Sequence, residues 1–340
     1  MPCTAFATNR KDEPLYRILA RENRISAEFI HILTDGSGAF EYFKSLLHTY
    51  LSLTGAVVSD SKGLMLPGSP VADEESEDGY LRFFSKLPPP RKLTKAWHLP
   101  FRLNDRPRLR TLRAQLKVEE LLQQARKNET TITEYLAAVY LFSLQKVFLD
   151  DRAAGHNRKR KVLRCEVPVN MRNRYPSRTM RNFSLFVMPE LDLRLGIYSF
   201  DEVARSVKYQ IRADSETKQI TRFLSSNVHY EKILMIRILP LFIKRLAIAA
   251  IYRGLGSKRS SGIITNLGVI SLPSEMEELI DLISVTPTPP NKNVKVSCAF
   301  VSYKGLLNIC FTNITEQNQL ERNFLQHLAS FGIRVKITIQ

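Results

Sequence analysis

Residues 24–51 read RISAEFIHILTDGSGAFEYFKSLLHTYL, and the organisation of the chain follows from this stretch. Ile25 to Leu33 alternates and then turns apolar, as a strand does. Leu15 to Leu19 is a second short apolar run, and the polar Arg21-Glu22-Asn23-Arg24 lies between the two, so they predict a hairpin. After Asp35-Gly36-Ser37-Gly38 the period changes. Ala39, Phe40, Phe43, Leu46, Leu47, Tyr50 and Leu51 recur at three and four, the stripe of an amphipathic helix. Asp35 stands where a helix N-cap belongs, and a second role is open to it, as a buried carboxylate held by an arginine. Gly36 and Gly38 permit a tight turn and close backbone approach. His31 falls at the end of the expected strand, on the face of Ala27 and Phe29. An imidazole there is placed to face a cleft, and its ordinary pKa of about 6.5 suits proton abstraction from a hydroxyl. By spacing alone, a hydrogen-bonded core histidine is the commoner outcome.

Outward from this unit, residues 59–96 carry the acidic run Asp73 to Asp78 and the prolines Pro88-Pro89-Pro90, the punctuation of a connection between lobes. The acidic run reads as a solvated loop. Thr111 to Leu116 predicts a strand and Val118 to Arg126 a helix. Thr131-Ile132-Thr133-Glu134 is a capping box for a long helix reaching about Phe148. Further strands are expected over Val162–Asn170, Phe183–Met188, Ile263–Ile264, Val294–Tyr303, Leu306–Phe311 and Val335–Ile339. Helices are expected over Ser199–Thr217, Ile233–Arg253 and Thr315–Phe331. Such an order, with hairpins, favours an α/β sandwich with mixed sheets over a doubly wound parallel fold.

The chain has 340 residues, 44% hydrophobic and 24% charged, which excludes a disordered, collagen-like or disulfide-stapled chain. Its four cysteines form no C-x-x-C pair and predict reduced thiols in a cytoplasmic protein. The net charge is +17, and residues 1–100 hold 12 basic and 12 acidic side chains, so the whole excess lies in residues 101–340. A basic surface attracts nucleic acid, anionic lipid or a phosphorylated small molecule. No zinc-finger or RNP motif accompanies the basic run Arg158 to Lys161, so no specific nucleic-acid partner is expected. The most apolar stretch, Ile233 to Tyr252, is interrupted by Arg237, Pro240, Lys244 and Arg245, and is too broken to span a bilayer. A half-buried helix with basic residues on its wet face is the favoured expectation. An interfacial helix with weak affinity for a membrane surface is the other.

The segment Ile30-His31-Ile32-Leu33-Thr34-Asp35-Gly36 resembles the H-H-x-x-x-D-G signature of the chloramphenicol acetyltransferase-like superfamily. That superfamily includes condensation domains, plant acyltransferases and alcohol O-acetyltransferases, the last being the nearest resemblance. The second His of the signature falls on His31 and the first on Ile30, where this chain departs. Val167-Pro168-Val169-Asn170-Met171-Arg172 resembles the family's V-x-V-N-x-R strand end. Asn182-Phe183 resembles its N-F entry to the next strand, and Thr265-Asn266-Leu267-Gly268 with Leu272-Pro273 its S-N-L-G…L-P segment.

The resemblance implies a two-lobed fold with mixed sheets flanked by helices and a tunnel between the lobes. It implies transfer of an acyl group from a thioester, acyl-CoA or an acyl carrier protein, to a small alcohol, with no permanently bound cofactor and no metal. His31 would be the general base and Asp35 and Gly36 would belong to the catalytic motif. Arg172 would pair with Asp35, with Arg174 as the fallback. Thr265 and Asn266 are the oxyanion or tunnel residues, although Asn266 also fits a turn before Gly268. In this superfamily the motif usually lies about 100 or more residues into the chain, whereas here it falls at His31, so the first lobe is expected to be incomplete. The division that follows is residues 1–58 as a partial N-terminal lobe, 59–105 as a linker and 106–340 as the C-terminal lobe. An inactive or fragmentary relative is the alternative.

Overall fold

The computed structural model describes Phe6 and residues 14–61, 63–105, 109–233, 238–246 and 257–339. The chain divides into two compact units. The smaller takes residues 1–84, 170–185 and 271–282, and the larger takes 85–169, 186–270 and 283–340. These boundaries cut across the linear scheme of residues 1–58, 59–105 and 106–340. Residues 59–84 belong to the smaller unit rather than to a linker, and two later segments join them.

In the smaller unit, β1 (Tyr16–Arg21) and β2 (Arg24–Phe29) form an antiparallel hairpin in register Tyr16 to Phe29. Its two-residue loop puts Glu22 at a φ of 52°. Tyr16 stacks on Phe29 with centroids 6.1 Å apart, and Tyr42 meets both rings edge-on at 5.7 Å. Tyr42 comes from α1 (Gly36–Leu53), so aromatic contacts fasten the helix to the hairpin. A short helix α2 (Gly79–Arg82) is capped by Asp78, whose side chain accepts from the amides of Tyr80 and Leu81.

The expected strand over Ile25–Leu33 ends at Phe29. Its partner runs out: Ile30 still donates to the carbonyl of Leu15, but Pro14 lies beyond and has no N–H. The chain then turns, with the Leu33 amide bonded to the Ile30 carbonyl at 2.9 Å. His31 is therefore an exposed turn residue and not a strand residue sharing a face with Phe29.

The larger unit is built on a mixed sheet. Its strands are β3 (Arg110–Lys117), β4 (Val162–Asn170), β5 (Ser184–Val187), β6 (Glu190–Asp192), β7 (Gly262–Val269), β8 (Val296–Tyr303), β9 (Leu306–Asn313) and β10 (Lys336–Ile339). The order is β10-β3-β9-β8-β7-β4-β5, with β6 on β4. The β4–β7 and β7–β8 pairs are parallel, whereas β10–β3, β3–β9, β8–β9 and β4–β6 are antiparallel.

The helices of this unit include α3 (Val118–Lys127), α4 (Ile132–Ala153), α5 (Phe200–Ser215) and α6 (Thr217–Lys232). Further along, α7 (Ser274–Leu279) belongs to the smaller unit and α8 (Gln319–Ser330) to the larger. The expected capping box closes α4: Glu134 N–H donates to Thr131 Oγ1 at 3.2 Å and Thr131 N–H to Glu134 Oε2 at 2.8 Å. Residues Tyr135 to Leu141 of α4 are all fully buried, as expected for a helix apolar on every face. By length and composition α4 would also cross a membrane, but it packs between α5 and α8 as a core helix. Its Tyr140 ring lies where a Cβ on Gly262 would stand, so glycine at the start of β7 lets the helix approach the sheet. Cys165, Cys298 and Cys310 are buried and form no disulfide among the described residues, and Cys3 lies outside those residues.

Three helix and strand expectations need correction. The helix from Ser199 stops at Ser215, because Glu216 is extended (ψ 139°), and a second helix, α6, starts at Thr217. The strand expected over Ile263–Ile264 extends to Val269 and takes in Thr265 and Asn266. The helix expected over Ile233–Arg253 lies partly outside the described residues. Of its described residues, Ile233 and Lys244 are half-buried and the rest of 238–246 is exposed.

β4 carries one group whose ionisation bears on stability. Burial pushes the Glu166 carboxyl up to about 7, and a hydrogen bond with Ser260 offsets this only in part. Between the ordinary value near 4.5 and about 7, the folded chain holds a proton that the unfolded chain has lost. The stability from this group is thus complete below the lower value and lost as pH rises through the higher. Glu166→Gln, which cannot ionise, should gain about 3 kcal/mol over the parent near pH 8 and nothing near pH 4. Urea midpoints at the two pH values test this, and an equal gain at both would refute it.

Candidate functional site

Asp35 is the centre of the smaller unit's polar structure. It is 4% exposed, and both carboxylate oxygens are occupied. Oδ1 caps α1, accepting from the amides of Ser37 and Gly38 at 3.1 Å each. Oδ2 accepts from the Phe183 amide at 2.8 Å and from Arg172 Nη1 at 2.7 Å. The two roles weighed for Asp35, helix cap and buried partner of an arginine, are therefore filled at once, one by each oxygen.

Arg172 is used as fully. Nε donates to the Thr179 carbonyl at 2.7 Å, Nη2 to the Arg181 carbonyl at 2.7 Å, and Nη1 also to Asn170 Oδ1 at 3.1 Å. A planar guanidinium with five donors suits this arrangement, whereas a lysine ammonium does not. Arg174, the fallback, is exposed.

The turn carrying His31 is pinned to residues 179–183 at further points. Thr34 Oγ1 donates to the Met180 carbonyl at 2.7 Å, and Asn182 Nδ2 donates to the His31 carbonyl at 3.2 Å. Asn170 Nδ2 reaches Ser37 Oγ at 2.9 Å. A Cβ on Gly38 would stand 2.2 Å from Thr34 Oγ1 and 2.6 Å from the Met180 carbonyl oxygen. Gly38 is needed for close approach, not for a left-handed backbone, since neither it nor Gly36 has a positive φ. Gly36 is the first residue of α1.

The acidic run is part of this construction and not a solvated loop. Glu77 accepts through its carbonyl from Thr179 Oγ1 at 2.7 Å and through its carboxylate from Ser177 Oγ at 2.6 Å. The Met180 amide donates to the Glu75 carbonyl at 2.8 Å. Tyr80 donates its hydroxyl to the Ser184 carbonyl, and burial pushes its pKa up to about 12. Thr34, Glu77, Thr179 and Tyr80 carry no periodic or motif signal that would have marked them.

Beside the motif the smaller unit holds a cavity of ≈ 400 Å³. Its wall is almost wholly apolar, with Tyr16, Phe29, Tyr42, Met65, Val71 and Met180 among the lining residues. Thr34 and Gly38 bring it against the His31–Gly38 turn, and Glu75 and Ser76 also line it.

His31 itself is exposed, and among the described residues no hydrogen bond holds its ring. Thr265 and Asn266 lie on β7 of the larger unit. There Asn266 Nδ2 donates to Thr133 Oγ1 at 2.8 Å, and its Oδ1 accepts from the Gly268 amide at 2.7 Å. Asn266 thus braces a β-bulge at which Gly268 has a φ of +85°. Among the described residues, no group of three His, Cys, Asp or Glu side chains is placed to hold a metal ion.

No family model matches the chain, and no curated protein matches it. Among solved structures, it is similar to the epimerization domain from the third module of tyrocidine synthetase B. The TM-score is 0.48 at 14% identity, over 90% of this chain and 68% of that one. It is similar to trichothecene 15-O-acetyltransferase from Fusarium sporotrichioides, with TM-score 0.49, 12% identity, and 88% and 63% of the two chains. It is also similar to a wax ester synthase/diacylglycerol acyltransferase from Marinobacter aquaeolei, with TM-score 0.40, 12% identity, and 74% and 54% covered. The chain spans less than two thirds of the length of the last two. The activities in these names belong to those proteins.

Proposed function

We propose that the chain is an acyltransferase that moves an acyl group from a thioester, acyl-CoA or an acyl-carrier-protein thioester, to an alcohol. The observation that carries this is the buried Asp35–Arg172 pair beneath an exposed histidine four residues earlier. His31 takes the hydroxyl proton as the alcohol oxygen attacks the thioester carbonyl. The tetrahedral intermediate collapses with cleavage of the C–S bond, and the proton passes from His31 to the leaving thiolate. Ester and free thiol are the products, with no covalent acyl-enzyme. Asp35 and Arg172 act as positioning residues: the Asp35 carboxylate accepts four hydrogen bonds and the Arg172 guanidinium donates four, all of them within the protein. The apolar cavity beside the turn suits an alkyl or aryl portion of either substrate. The basic excess of residues 101–340 suits the phosphates of coenzyme A. The reaction needs no bound cofactor, and its soluble substrates fit a cytoplasmic setting.

The test is thiol release from a panel of acyl-CoAs with alcohol and amine acceptors, for the parent and His31→Ala. Loss of a general base should slow release by about 10²–10⁴-fold, with urea stability unchanged because the side chain is exposed. Equal rates would remove His31 as the base.

The unheld ring of His31 and Ile30 at the first motif position favour a second reading, an acyltransferase-like protein that binds but does not turn over. A folded sample that binds acyl-CoA and releases no thiol with any acceptor would select it.

A further inference from the structure

Residues 238–246 present an unusual surface. Ile238 is 72% exposed, Leu241 80%, Phe242 67% and Leu246 69%, with Leu239 and Ile243 at 40% and 38%. Single exposed apolar residues are ordinary, but six within nine residues form a patch that wants a partner. Residues 241–246 are helical and start from Pro240, whose carbonyl accepts from Ile243 and Lys244.

The charge in the sequence flanking the patch has one sign. Residues 232–274 contain no Asp or Glu and seven Lys or Arg, with Lys244 and Arg245 inside the patch itself. A second copy docked on the same face would bring the basic Lys244 and Arg245 toward their own equivalents, like charge against like charge. An anionic surface with an apolar interior meets both features, and Pro240 with Lys244 and Arg245 keeps the segment from crossing it.

We propose that residues 238–246 dock on the face of a bilayer that carries anionic lipid. Ile238, Leu241, Phe242 and Leu246 enter the boundary between headgroups and acyl chains, and Lys244 and Arg245 meet lipid phosphates. The inference rests on exposure and charge and is independent of the proposed catalysis.

Flotation of the full chain with vesicles tests it. The parent should float with equimolar phosphatidylcholine and phosphatidylglycerol, less so at high salt, and hardly at all with phosphatidylcholine alone. Leu241→Gln/Phe242→Gln should lower the bound fraction at least about tenfold, and so should Lys244→Glu/Arg245→Glu. Leu241, Phe242 and Arg245 are exposed and Lys244 is half-buried, so Leu241→Gln/Phe242→Gln should keep the parent's unfolding midpoint, and Arg245→Glu alone serves as the control for the charge pair. Flotation equal in parent and variants would overturn the proposal. So would an absence of flotation, including the case of a parent dimer in light scattering that Leu241→Gln/Phe242→Gln converts to monomer.

Discussion

Arg164→Met is expected to cost the larger unit about 3–5 kcal/mol. Arg164 is fully buried in β4, and every part of its guanidinium is engaged. Nε donates to Glu190 Oε2 at 2.8 Å, and Nη2 donates to the same oxygen. Nη1 donates to the carbonyls of Thr94 at 2.8 Å and Arg259 at 2.7 Å. One side chain thus ties β4 to β6 and to two loops. Methionine fills much of the volume but leaves Glu190 Oε2 and two carbonyls without their donor, while Arg91 Nη2 stays on Glu190 Oε1 at 3.3 Å. Such groups incur their full desolvation cost when enclosed. Arg164→Met/Glu190→Leu should recover much of the loss, because removing both charges is far less costly than stranding one. Trp97, the only tryptophan, is 2% exposed in this unit and reports its unfolding in urea. A single variant within about 1 kcal/mol of the parent, or a double variant no better than the single, would contradict the assignment.

The same structure explains which features were legible beforehand. The Thr131/Glu134 capping box was readable because four consecutive residues contain both halves of it. The stop at Ser215 was not: the residues on both sides favour helix, and the break is one extended Glu216. The end of β2 depended on where its partner strand ran out, which the apolar run Ile30-His31-Ile32-Leu33 does not reveal. Asp35 could be read as a cap from local spacing, but its bond to Arg172 spans 137 positions and was accessible only through the motif resemblance. Thr34 with Met180, and Glu77 with Thr179, join loop residues across similar distances and leave no periodic trace. Exposure of residues 238–246 could not be read either, because an apolar run with interspersed bases looks alike whether one face packs or none does.

The Asp35–Arg172 pair is where stability and the proposed chemistry meet, and substitution should separate them. Asp35→Ala strands the Arg172 guanidinium and leaves the amides of Ser37, Gly38 and Phe183 without their acceptor. Breaking one side of a buried ion pair costs about 3–5 kcal/mol, so the smaller unit should lose that much. Asp35→Asn keeps the volume and should do little better. Its carbonyl oxygen can serve either the two cap amides or the Phe183–Arg172 pair, and its NH₂ must then face the other donors. Asp35→Ala/Arg172→Met should be less damaging than the two single losses summed, by about 1–3 kcal/mol. Hydrogen exchange at Ser37, Gly38 and Phe183 reads this directly, since all three amides end on one carboxylate. In Asp35→Ala they should exchange fastest of the unit's amides, and Arg172→Lys should expose Phe183 while sparing the cap. Additive losses, or unchanged protection at Phe183, would mean that Asp35 serves only as the cap of α1. His31 would then sit on a turn held by Thr34 and Asn182 alone, and loss of acyl transfer in Asp35→Ala would need another cause.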